Sequence, residues 1–129
     1  MTDHNDTRSH EDIKATWLSE ILTETLDDLA HAKRVLSAFA DQTRDGFIAW
    51  GMAEGEAIQA YQCLLRAPSL KADPPPVADS SATRDALHEL AAKASRNLVR
   101  AAELAGDPAD KMACLQAALH AGRLRDNLR

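Results

Sequence analysis

Apolar residues return at three- and four-residue intervals through most of the chain, and the longest such run lies between Ser9 and Ala40. Leu18, Leu22, Leu29, Leu36 and Phe39, widened by Ile21, Leu26 and Ala32, fall on one broad face at roughly 100° per residue. A face this wide must be covered, and the rest of the chain reads as its cover. Ser9 followed by Asp12 makes an N-cap arrangement, so the first helix is expected from Ser9 to about Ala40. Ile13, Trp17 and Val35 form a second, thinner apolar edge on it. Residues 1–8 offer nothing to bury and read as a disordered tail.

The apolar pattern pauses at Asp41–Gly46, which predicts a turn. A second helix follows over Phe47–Arg66, with an expected inward face of Phe47, Trp50, Gly51, Glu54, Ile58, Tyr61 and Leu65; it ends because Ala67 precedes Pro68. Residues 67–80, with Pro74-Pro75-Pro76 at their centre, form a stiff linker of polyproline character. The third helix starts near Ser81 and ends before Gly106, burying Leu87, Leu90, Ala91, Ala94, Leu98, Ala101, Leu104 and Ala105. Asp107-Pro108 then opens a fourth helix, with an Asp cap and proline at the first helical position. So short a connection makes helices three and four a hairpin. The fourth helix carries two apolar stripes on nearly opposite sides: Met112, Leu115, Leu119 and Gly122, and Ala113, Ala117, Leu124 and Leu128. The first is assigned to the core and the second to the surface. The expected fold is therefore all-α: an antiparallel four-helix bundle of one domain, 9–129, with hairpins 9–66 and 81–128 joined by the Pro-rich crossover 67–80.

Composition narrows the function classes. The 129 residues are enough for one core without disulfide staples. Aromatics are only 4%, so that core must be built from Leu and Ala. No run approaches the roughly 18 apolar residues of a membrane span, and the first ten residues carry no apolar signal region. Cys63 and Cys114 stand apart without metal-ligand spacing, which fits free thiols and a cytoplasmic location. A net charge of −5 excludes a general nucleic-acid binder. The charge is uneven: residues 1–66 hold 12 acids and 6 bases, whereas residues 67–129 hold 8 acids and 9 bases.

Chemistry is sparse. Glu54 falls in the middle of the expected inward face, where a carboxylate needs a partner, a proton or a metal. Counting levels through an up-down-up-down bundle places it near Asp28, His31 and His120, a mixed carboxylate–imidazole set suited to Fe, Mn or Zn. No Glu-x-x-His occurs, so the diiron-bundle pattern is absent. His88-Glu89-Leu90 resembles the phosphoacceptor motif of histidine kinases over three residues. Ala91-Ala92-Lys93 replaces the basic-polar-proline run, so no residue role carries over. No nucleophile–base pair and no phosphate-binding glycine loop is present, and no catalytic residue is assigned.

The expected function is a non-catalytic protein–protein interaction module, self-association included, with Trp17, Val35, Leu124 and Leu128 as interface residues. The alternatives are a metal- or cofactor-binding bundle through Glu54, His31, Asp28 and His120, and an acidic inhibitor or immunity-type protein presenting Glu20, Glu24, Asp27 and Asp28.

Overall fold

The computed structural model describes the backbone of residues 2–42, 46–70 and 83–128, and side chains over 12–39, 50–70 and 83–128. Its elements are α1 (Thr2–Gln42), α2 (Gly46–Leu65), α3 (Arg84–Leu104) and α4 (Pro108–Asn127). The fold is all-α, with four helices and no strand among the described residues. The prolines at 74–76 lie outside those residues, as do positions 43–45 of the predicted turn Asp41–Gly46 and the side chain of Phe47; Asp41, Gln42 and Gly46 belong to helices.

At 41 residues, or about 60 Å, α1 is twice as long as any other helix. It begins at Thr2, not at the Ser9 cap: no glycine or proline stands before Gly46 to stop it. Thr83 caps α3, its hydroxyl accepting from the Ala86 N–H at 3.1 Å. Asp107 caps α4 in the same way, accepting from the Ala109 N–H at 2.8 Å, and Pro108 follows as the first helical residue. Gly106 follows the Ala105 cap without entering the left-handed region, so it provides a connection and not an αL cap.

Among the described residues the helices touch in a closed ring: α1 on α2, α2 on α4, α4 on α3, and α3 on α1. α1 and α4 are thus diagonal to each other, as are α2 and α3. The core divides into two clusters. In the larger, Leu18, Leu22, Leu26 and Leu29 of α1 meet Leu64 of α2, Leu98 of α3 and a bed of alanines including Ala60, Ala94, Ala101, Ala113, Ala117 and Ala121. In the smaller, Val35 and Leu36 meet Ala53, Ala57, Leu87, Ala91, Leu124 and Leu128. α1 supplies most of the large side chains, and the alanines let the other backbones approach it closely. Each fully buried leucine contributes roughly 1.5–3 kcal/mol relative to an exposed one.

Two helices turn a different face inward from the one their apolar pattern predicts. On α2 the described buried residues are Cys63 and the row Ala53, Ala57, Ala60 and Leu64, which lies one residue before Glu54, Ile58, Tyr61 and Leu65. That is a rotation of roughly 100°. The small side chains form the seam, and the bulky ones close its edges, where Trp50 packs on Phe39 with ring centroids 5.0 Å apart. On α4 the assignment is reversed outright. Ala113, Ala117, Leu124 and Leu128 are buried, and Met112, Leu115 and Leu119 face outward. Gly122 has nothing closer to an added Cβ than Ser95 Oγ at 4.0 Å, so no close backbone contact demands a glycine there. Wedged between the alanine faces of α2 and α3, α4 can present only small side chains to them, with Leu124 and Leu128 filling the wider end.

Candidate functional site

The four residues of the expected metal set are not brought together. Asp28 and His31 lie on α1 and His120 on α4, helices that do not touch. The Asp28 carboxylate faces α3, where Lys93 Nζ lies 3.2 Å away and 2.8 Å from Glu24. Burial raises the Asp28 carboxyl above its ordinary value, outweighing the opposing hydrogen bond and charge of Lys93. Hydrogen bonds to Glu24 and Asp28 in turn raise the Lys93 ammonium. His120 pairs with Glu56, Nδ1 to Oε2 2.6 Å, across the α2–α4 seam. The α2 carboxylate that meets His120 is Glu56, two residues beyond the half-buried Glu54 of the expected set. Among the described residues no three His, Cys, Asp or Glu side chains gather in a way that would hold a metal ion. Counting levels fixes height along the bundle, not azimuth, and the ring order separates α1 from α4.

Three of the four expected interface residues are in the core. Val35 and Leu124 are fully buried and Leu128 nearly so, all in the smaller cluster, and none can meet a partner without unfolding. Trp17 is different: its side chain is 52% exposed, with Ile13 exposed one turn before it. It rises from a groove of about 240 Å³ between α1 and α3, lined by Trp17, Glu20, Ile21, Arg100 and Leu104.

Among the described residues, the helix with the most exposed large apolar side chains is α4, on the stripe that sequence periodicity assigned to the core. Met112, Leu115 and Leu119 are 58%, 47% and 53% exposed. By the helical angle they point directly away from the buried Ala113, Ala117 and Leu124.

Asp110 is a buried polar residue that the pattern did not single out. Its carboxylate accepts from the Ser69 N–H at 2.8 Å and the Ser69 hydroxyl at 2.5 Å, fastening the segment after α2 to the first turn of α4. The helix dipole there favours the acid. The signal was present as the first-turn acid of Asp107-Pro108-Ala109-Asp110. One turn further on, burial, with a smaller effect from Asp110, pushes the Cys114 thiol up to about 11, so it stays protonated and inert as a nucleophile. Neither arrangement provides a nucleophile with an activating base.

At the other end of α4, Arg84 Nε donates to the Leu128 carbonyl at 2.9 Å, and the guanidinium lies 5.3 Å from the Trp50 ring centroid. This contact ties the start of α3 to the end of α4 and places a cation at a helix C-terminus. No helix among the described residues is long and apolar enough to cross a membrane. Comparison with protein-family models, curated proteins and solved structures found no match, so the functional reading rests on these surfaces.

Proposed function

We propose that this chain is a non-catalytic interaction module: an antiparallel four-helix bundle of two hairpins, joined by the crossover 67–80, that docks an amphipathic helix of a protein partner on the outer face of α4. The bundle reading is supported by contacts whose order reverses between neighbouring helices. Glu56 and Ser69 along α2 and its exit meet His120 and Asp110 on α4, and Arg84 at the start of α3 meets Leu128 at the end of α4. The free thiols of Cys63 and Cys114 suit a reducing compartment, and the proposal places the module in the cytoplasm.

The observation that carries the docking reading is the Met112–Leu115–Leu119 stripe. Its three-then-four spacing is that of a coiled-coil seam, and it lies on the side of α4 that the core does not use. Lys111 and Arg123 flank it as a polar rim. Covering such side chains is worth up to roughly 1.5–3 kcal/mol each, against which the ordering cost of association is set.

Photo-crosslinking in the native cell tests the proposal, with benzophenone side chains at positions 115 and 119 and at the exposed Gln62 of α2 as control. A discrete adduct from both α4 positions and none from position 62 is expected. If positions 115 and 119 give no adduct, or the same pattern as position 62, the assignment is wrong.

A further inference from the structure

We infer that the face formed by α1 and α3 is a self-complementary interface, and that its occupant is a second copy of this chain. The inference rests on the interaction-module reading and adds to it a second surface with a defined partner.

Between Lys14 and Lys33, α1 carries four acids, Glu20, Glu24, Asp27 and Asp28, and no base. Between Glu89 and Glu103, α3 carries three bases, Lys93, Arg96 and Arg100, and no acid. The two blocks lie at the same height: Lys93 reaches Glu24 and Asp28, and Arg100 shares the groove with Glu20. Among the described residues only Lys93 forms an ion pair across the α1–α3 seam. Glu20, Asp27, Arg96 and Arg100 are exposed and make no hydrogen bond or ion pair among the described residues. The molecule thus presents an acidic row beside a basic row, with the half-exposed Trp17 and the groove at one end of the boundary between them.

A two-fold axis running along that boundary, parallel to the helices, exchanges the rows without changing their height. α1 of one copy then lies over α3 of the other, so that Glu20 and Asp27 face Arg100 and Arg96 of the second molecule, twice over. The same operation brings the two Trp17 rings to one level on either side of the axis, each beside the Leu104 rim of the other copy. Any other partner would have to offer a basic row beside an acidic row at the same helical spacing; a second copy does so by construction, in a closed isologous pair. The α1–α3 side is opposite the α2–α4 side of the ring, so dimerisation leaves Met112, Leu115 and Leu119 uncovered and makes the module bivalent for its helix-bearing partner.

The test uses two charge variants of the full chain: one with Glu20→Arg and Asp27→Arg, the other with Arg96→Glu and Arg100→Glu. All four positions are exposed, so helical content by circular dichroism and urea midpoints should match the wild type. In sedimentation at low ionic strength the wild type should dimerise, and added salt should weaken the dimer. Each variant alone meets like charge across the axis, and its association should weaken by about a hundredfold or more. An equimolar mixture of the two variants restores every opposite pairing and should dimerise again. A wild type that stays monomeric up to about 1 mM overturns the inference, since that bounds the affinity at the weakest end of specific association. So does dimerisation of either variant alone at wild-type strength, or a mixture that stays monomeric. Crosslinking from positions 115 and 119 is read separately, so loss of the dimer and loss of the α4 docking surface are distinguishable.

Discussion

Comparing Leu124→Ala with Leu115→Ala decides which face of α4 is the core. Leu124 is fully buried among Val35, Leu36, Leu87 and Leu128, whereas Leu115 is about half exposed. Truncating Leu124 removes three carbon atoms from the interior, about 2.4 kcal/mol of transfer free energy at roughly 0.8 kcal/mol per carbon. The cavity left in a packed cluster raises the total to about 3–4 kcal/mol. Leu115→Ala removes atoms already half in water and leaves no cavity, so its cost should stay within about 0.5 kcal/mol. Equilibrium urea unfolding followed by far-ultraviolet circular dichroism measures both. With a slope of about 1–3 kcal/mol per molar, the Leu124 variant should lose about one to four molar in its midpoint while Leu115→Ala barely moves it. Equal costs, or the larger cost at Leu115, would refute the reversed assignment and with it the exposed stripe on which docking depends. Both measurements belong at low protein concentration, because an associating stripe would add concentration dependence to the Leu115 value.

Asp110→Ala should destabilise by about 1–3 kcal/mol by orphaning the Ser69 N–H, and amide exchange at Ser69 should speed up beyond the rate at neighbouring residues; unchanged exchange would contradict the clamp. Thr25 is fully buried and its hydroxyl has no hydrogen-bond partner among the described residues, so the near-isosteric Thr25→Val should stabilise by about 1 kcal/mol in thermal melts, and a loss would show that the hydroxyl is satisfied in solution. Asp28 titrates above its ordinary 3.8 in the folded state, so its contribution to stability is fully present below the unfolded value and is lost as pH rises through the folded one. Asp28→Asn should therefore be at least as stable as wild type at pH 7, with the difference vanishing in the acid range; a less stable variant at pH 7 would mean that the Lys93 pairing outweighs burial.

Much of the architecture could be read from residues alone. The leucine face of α1, the Asp107-Pro108 start of α4 and the alanine–leucine face of α3 all emerge from spacing and cap chemistry, because each is a local property of a few neighbouring residues. The candidate site was less legible. Trp17 lies off the main apolar face in the sequence pattern and is exposed in the structure. Val35, Leu124 and Leu128 were misplaced because an apolar edge looks the same in sequence whether it meets solvent or another helix. Glu54 was expected on the inward face of α2, but that face is carried by alanines that hydrophobic weighting discounts beside Ile58 and Tyr61.

By itself the sequence determined that the chain makes four helices, where three of them begin or end, and that a Leu/Ala core encloses few groups capable of chemistry. Backbone hydrogen bonding, capping and apolar period act within a turn or two, so a linear reading reaches them. Which of the two α4 stripes is buried, how far α2 is rotated, and which helices are neighbours or diagonal were decided only by packing. Those choices depend on whether side chains of a given size fit between particular backbones at close approach, a property of all four helices at once. The outward Met112–Leu115–Leu119 stripe and the adjoining acidic and basic rows of α1 and α3 exist only once that fit has been made.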